Sequence, residues 1–187
     1  MSTLFPERSC PSWAIDQAVM NTKLYWIEGP WRGRLAVSPR PRGGDWLEDE
    51  IRAWSRSGIS VVVSLLTSDE MKDLDLTDEA ERCRVSNISF ISLPIEDLGV
   101  PASREDALNV VTAIERLLVE GHNVVIHCRG GIGRSGLLGA SLLVASGIEP
   151  EAALQRVSAA RGFSVPETPE QKQWVRDFAD AAATLSK

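Results

Sequence analysis

The residues best suited to chemistry lie together in one run, His127-Cys-Arg-Gly-Gly-Ile-Gly-Arg-Ser135. Cys128 and Arg134 are separated by Arg129, Gly130, Gly131, Ile132 and Gly133. An apolar run, Asn-Val-Val-Ile-His at 123–127, precedes the loop, and an apolar stretch at 134–146 follows it, so the loop joins a strand to a helix. Backbone N–H groups at a helix start, together with the helix dipole, make such a junction an anion cradle. Three glycines let the backbone curl closely around the anion. The sulfur of Cys128 is expected at the bottom of the cradle. Arg134 is expected on its rim, where a guanidinium grips two phosphate oxygens. The loop residues 129–133 would supply the substrate-binding amides. A free thiol is only roughly 3% thiolate at pH 7, but a helix N-terminus and a nearby cation lower its pKa to roughly 3.5–7.5 and make the thiolate the main form. Ser135 is placed to donate a hydrogen bond to that sulfur.

A phosphate ester also needs a proton for its leaving oxygen, a role worth roughly 10²–10⁴-fold. The carboxylates that could serve are Glu96 and Asp97, in the proline-bracketed loop Pro94-Ile-Glu-Asp-Leu-Gly-Val-Pro101. In a parallel sheet, loops after neighbouring strands gather at one edge, which brings this loop beside Cys128. Spacing alone does not choose between the two carboxylates.

Other readings of the glycine loop fare worse. Gly131-Ile-Gly-Arg-Ser-Gly136 matches the dinucleotide pattern G-x-G-x-x-G. That fold requires a further strand ending in an acidic residue roughly 20 residues on, whereas here helices follow, with Glu149 and Glu151 at a helix start. A nucleotide P-loop needs lysine before Ser/Thr, and Arg134 stands there instead. A buried packing cysteine does not call for three glycines and an arginine beside it.

The elements that must position these residues read as an α/β fold, a central mostly parallel sheet flanked by helices. Residues 1–33, with Pro6, Pro11 and Pro30, read as an irregular N-terminal extension packed on the domain, and 34–187 as a single catalytic domain. Strands are expected near 34–38, 59–66, 88–93 and 123–127. Asp45 is expected to cap a helix carrying Trp46, Leu47, Ile51 and Trp54. Short helices follow at 68–74 and 77–84. A longer one at 103–119 presents Leu108, Val111, Ile114 and Leu118 on one face. Pro150 opens another helix. Thr168-Pro-Glu-Gln171 is a capping box that opens the last, with Trp174, Phe178, Ala181 and Leu185 inward.

Composition bounds the partners. Of 187 residues, 43% are hydrophobic and 25% charged, with a formal net charge of -6. No basic block favours a nucleic acid or a membrane surface. No apolar run reaches the roughly 18 residues of a spanning helix, and no signal segment is visible, so a reducing cytoplasm is expected. Three cysteines (Cys10, Cys83, Cys128) and two histidines suggest neither a disulfide framework nor a metal site. Arg40 and Arg42 are candidates for the site's mouth, and Cys83 for packing rather than redox pairing.

His-Cys-x5-Arg-Ser at 127–135 resembles the signature of the cysteine-dependent protein tyrosine phosphatase superfamily, dual-specificity class. The loop at 94–101 and the sequence Cys-Arg-Gly-Gly-Ile-Gly-Arg-Ser resemble the kinase-associated phosphatase (cyclin-dependent kinase inhibitor 3-like) branch, over roughly residue 35 to the C-terminus. The resemblance places the acid on Asp97. It implies attack by the Cys128 thiolate, a cysteinyl-phosphate, and hydrolysis with Asp97 as base, with no metal or cofactor because amides and Arg134 supply the charge. It also implies that His127 tunes the thiol and that Gln171 positions water, a role the capping box competes for. The expected substrate is a phosphorylated protein, at phosphotyrosine and extending to phosphoserine and phosphothreonine. Phosphoinositides, small phosphate esters, a phosphate-binding pseudophosphatase and a rhodanese-like sulfurtransferase are the alternatives. The kinase–cyclin partner of the eukaryotic branch does not carry over, since the shared motifs are catalytic.

Overall fold

A computed structural model describes residues 22–185 of the chain, with side chains described through 179. A five-stranded mixed sheet runs through it in the order β1-β2-β5-β3-β4. The strands are β1 (Tyr25–Ile27), β2 (Leu35–Pro39), β3 (Val61–Ser64), β4 (Ser89–Ser92) and β5 (Val124–Cys128). β2, β5, β3 and β4 are parallel, and only β1 pairs antiparallel, along β2. Among the described residues the α-helices are α1 (Leu47–Arg56), α2 (Ser68–Asp73), α3 (Glu79–Val85), α4 (Arg104–Glu120), α5 (Gly133–Ala145), α6 (Pro150–Arg161) and α7 (Pro169–Leu185).

β5 lies centrally and every one of its residues is buried. Its alternation sorts the core into two layers. Val124, Ile126 and Cys128 face one side, against α4, α5, α6 and α7. Val125 faces the other, with Trp54 of α1 and Cys83 of α3. α5 is buried from Gly133 to Val144, as its apolar circumference predicts. In α4 the buried stripe is Ala107, Val111, Ile114 and Leu118, while Leu108 is only half-buried. Ser103 caps that helix by accepting from the Asp106 amide at 3.1 Å.

Two local expectations are corrected. The expected N-terminal extension 1–33 lies outside the described residues over 1–21, but residues 25–27 form an edge strand rather than irregular chain. Trp31 nearby donates from Nε1 to Ser146 at 2.8 Å, tying this segment to the end of α5. Asp45 does not cap α1. A 3₁₀ turn, Gly44–Trp46, leads into the helix instead, and Trp46 is about half exposed with the Arg42 guanidinium over its ring. The turn already satisfies the first backbone groups, so no side-chain cap is required there.

The capping box at the start of α7 forms as read. The Gln171 amide donates to Thr168 Oγ1 at 3.1 Å, and Gln171 Oε1 accepts from the Thr168 amide at 3.3 Å. Thr168→Ala should lower unfolding free energy by about 1 kcal/mol in a urea titration, the usual worth of such a cap.

Candidate active site

The loops that follow β3, β4 and β5 converge at the C-terminal edge of the sheet, as neighbouring parallel strands require. Cys128 ends β5, and α5 begins five residues later at Gly133, so helix amides open onto the loop between them. Gly131 has φ +67°, and a Cβ there would sit 2.4 Å from the Ser38 carbonyl carbon. No other residue fits. The wall it presses against is the end of β2, whose neighbour Arg40 donates its amide to the Arg129 carbonyl at 3.3 Å. Gly133 admits a close approach of another kind: a Cβ there would meet the Glu167 carboxylate at 2.5 Å.

Cys128 is almost fully buried, at 3% exposure, and its Sγ is hydrogen-bonded to Ser135 Oγ at 3.5 Å in the first turn of α5. The Arg129 side chain is exposed, so its contribution to the loop is its backbone.

Arg134 is 1% exposed and is held from several sides. Nη1 donates to Glu70 Oε2 at 2.6 Å and to the Ile95 carbonyl at 2.9 Å. Nη2 donates to Glu70 Oε1 at 2.9 Å and to Asp97 Oδ1 at 2.9 Å. Burial works against its charge. The hydrogen bonds to Glu70 and the charges of Cys128, Glu70 and Asp97 outweigh that, leaving the guanidinium more firmly protonated than usual. The Arg134 hydrogen bonds in turn hold the Glu70 carboxyl below its ordinary value, against partial burial.

Glu70 was not singled out by sequence. A signal existed in Thr67-Ser-Asp-Glu70, a capping box directly after the β3 strand. The box forms: Thr67 Oγ1 accepts from the Glu70 amide at 3.3 Å, and Glu70 Oε2 accepts from the Thr67 amide at 3.1 Å. It fixes the carboxylate at the sheet edge, where Arg134 then shares it.

Between the two candidate acids, Asp97 reaches Arg134 and remains 60% exposed, open to an incoming ligand. Glu96 is exposed, and its carbonyl closes the turn by accepting from the Gly99 amide at 2.9 Å, with Leu98 at φ +59°.

Four further residues, Gln171, His127, Arg42 and Cys83, are placed as follows. Gln171 is fully buried. Its Oε1 accepts from the Glu167 and Thr168 amides, and its Nε2 donates to the Gly99 carbonyl at 2.9 Å. Its side chain therefore caps α7 and ties the Gly99 end of the loop at 94–101 to it. The His127 ring lies on the sheet face opposite the Cys128 side chain, beside Trp54 and 2.9 Å from Glu79. Arg42 is paired with Glu50 at 2.5 Å, so it does not stand as a simple mouth cation. Cys83 belongs to the other core layer from Cys128, and burial together with the Glu79 charge pushes its thiol up to about 12. Packing fits that environment, redox pairing does not.

No group of three or more His, Cys, Asp or Glu residues among the described residues could hold a metal ion. Nor is any described helix long and apolar enough to cross a membrane. What the site can do is bind a tetrahedral oxyanion between loop amides and a fixed guanidinium, over a thiol, with one accessible carboxylate at the rim.

Residues 38–148 match the family described as "Polymorphic toxin system, DSP-PTPase phosphatase". The protein 067L of Invertebrate iridescent virus 3, named for a tyrosine phosphatase, is 34% identical over 136 residues, 63% of this chain and 57% of its own. Cyclin-dependent kinase inhibitor 3 of Rattus norvegicus is 27% identical over 129 residues, 68% of this chain and 60% of its own. The chain thus spans about six tenths of the length of these relatives. Among solved structures, kinase associated phosphatase (KAP) superposes with a TM-score of 0.80 at 20% identity, over 88% of this chain and 98% of that one. That likeness carries the fold.

Glu70 predicts a pH dependence of stability. Its folded-state pKa is depressed, so its contribution is fully present above the ordinary carboxylate value of 4.5 and is lost as pH falls through the folded value. Glu70→Gln should therefore flatten the fall in melting temperature below pH 4.5 relative to the native chain, read by thermal scans across pH 3–7.

Proposed function

The chain belongs to the DSP-PTPase phosphatases, and from that premise we propose that it hydrolyses phosphate monoesters on proteins, phosphotyrosine first, through a cysteinyl-phosphate on Cys128. The observation that carries the reading is the seating of Cys128 and Arg134 on one glycine loop, with Asp97 within hydrogen-bond reach of the clamp. The arrangement divides the work in a way the geometry favours. Glu70 and the Ile95 carbonyl hold Arg134 from behind. None of these bonds uses Nε, so the edge formed by Nε and Nη2 is the one a phosphate can take in bidentate fashion. Taking it displaces Asp97 from Nη2. The freed carboxylate then stands beside the phosphate, where it protonates the leaving oxygen while Cys128 Sγ bonds to phosphorus and the P–O bond to the leaving group breaks.

In the second half, water attacks phosphorus, the S–P bond breaks, and Asp97 takes the water's proton. Ser135 steadies the departing thiolate through its hydrogen bond. Loop amides and Arg134 stabilise the equatorial oxygens throughout, so neither half calls for a metal. A phosphorylated protein is the substrate in this reading, and a reducing, cytoplasmic compartment suits a reaction that needs a free thiol.

Purified protein should hydrolyse an aryl phosphate at pH 5–7. Cys128→Ser should abolish turnover, and a variant with full activity would end the proposal. Asp97→Ala should lower kcat roughly 10²–10⁴-fold, the usual worth of a general acid, whereas Glu96→Ala should change it little. Equal effects would remove Asp97 from the role.

A further inference from the structure

Two arginines are buried beside the phosphate loop, and only one of them is neutralised. Arg134 meets Glu70 and Asp97. Arg161, the last residue of α6, is 7% exposed and has no carboxylate partner among the described residues. Its Nε and Nη1 are buried without a hydrogen-bond partner. Nη2 donates to the Gly130 carbonyl of the phosphate loop at 3.5 Å, the single hydrogen bond of this side chain among the described residues. The guanidinium carbon lies 3.7 Å from the Tyr25 ring centroid and 4.9 Å from that of Phe163, so aromatic faces stand where water would. The charge of a guanidinium is permanent, and burying it without a counter-ion is costly. Packing gives no reason to keep it, because an apolar side chain of similar volume is often no worse for stability. The dipole at the C-terminus of α6 offsets a little of that cost. Yet the side chain bonds to the phosphate loop rather than to carbonyls of its own helix.

The carbonyl it reaches belongs to the peptide between Gly130 and Gly131, two residues without side chains. Glycines leave the direction of such a peptide free, so it must be set from outside. On one side Gly131 lies against the end of β2, where a Cβ would meet the Ser38 carbonyl carbon at 2.4 Å. On the other, Arg161 holds the Gly130 carbonyl. In a trans peptide the C=O and N–H point in opposite directions, so the Gly131 N–H faces away from Arg161. We propose that Arg161 is a positioning residue of the phosphatase reaction: it holds this peptide with its N–H toward the bound phosphate and its carbonyl turned away. A flipped peptide would aim a carbonyl oxygen at the phosphate and repel it. Polarising the carbonyl also strengthens the N–H at the other end of the peptide as a donor. The phosphate in the cradle is then the anion that the buried charge of Arg161 otherwise lacks. The inference rests on the functional reading above.

The probe is tungstate, an oxyanion of phosphate shape that is not turned over, titrated calorimetrically into the full chain. Arg161→Met keeps an apolar stem between Tyr25 and Phe163 and removes the charge. It should raise the tungstate Kd about tenfold, the worth of one hydrogen bond to a charged group, and lower kcat/KM on an aryl phosphate by a similar factor. Its melting temperature without ligand should equal or exceed the native one, because an uncompensated buried charge is gone. Arg161→Lys keeps the charge and should recover part of the lost affinity. Native tungstate affinity in Arg161→Met overturns the proposal. So does affinity that is lost together with melting temperature, since that is how a merely structural residue behaves. Arg161→Gln carries the same test if Arg161→Met fails to fold. Tungstate binding needs no turnover, so native protein that binds it but leaves aryl phosphate intact would sink the functional reading instead. Native protein that binds no tungstate would end both.

Discussion

The arrangement at the sheet edge turns on one buried cation. Arg134 has almost no solvent contact, so its charge must be met by protein. Glu70 meets it with both carboxylate oxygens, and backbone carbonyls take further donors. That requirement fixes the ends of three strands at once. The carbonyls of Leu65 and Ile95 belong to the segments after β3 and β4, Glu70 to the first turn after β3, and Arg134 to the helix after β5. A guanidinium with so many fixed partners cannot swing. It presents one edge to a ligand, always in the same direction, and such pre-organisation is what makes a charge effective toward a transition state.

Much of this was legible in the sequence because the constraints involved are local. Three glycines between Cys128 and Arg134, a strand before them and an apolar helix after them define the loop without tertiary information. The parallel sheet follows from alternating strands and helices, and α5's burial from its apolar circumference. The misses have physical causes too. β1 is three residues long and carries Tyr25 and Trp26 on an edge, too short for period-2 alternation to register. Asp45 looked like a cap because caps are read from one residue, whereas the 3₁₀ turn depends on Gly44 at φ +59°. Glu70 has a helix-cap signature, but its second role depends on Arg134, sixty-four positions away, and no local pattern encodes that.

Strand alternation explains the least expected placement. Consecutive residues of β5 point to opposite faces, so a cysteine that faces the loop forces the preceding histidine into the other core layer. His127 therefore cannot touch the sulfur through its ring. In that layer its ring lies 2.9 Å from the equally buried Glu79 and beside Trp54.

The acid loop obeys a complementary logic. Its tip is exposed and mobile chemistry is asked of it, yet both of its ends are tied. Ile95 is buried and its carbonyl binds Arg134, while the Gly99 carbonyl binds Gln171 at the start of α7. Only Glu96, Asp97 and Leu98 are left between the ties, and all three are exposed. A displaced Asp97 therefore has a short tether and few places to go. In the reaction proposed above, it exchanges Arg134 for a substrate oxygen by side-chain rotation, with no closure of a long lid. Gln171, read from sequence as a candidate for handling water, ties the Gly99 end of this loop to the start of α7.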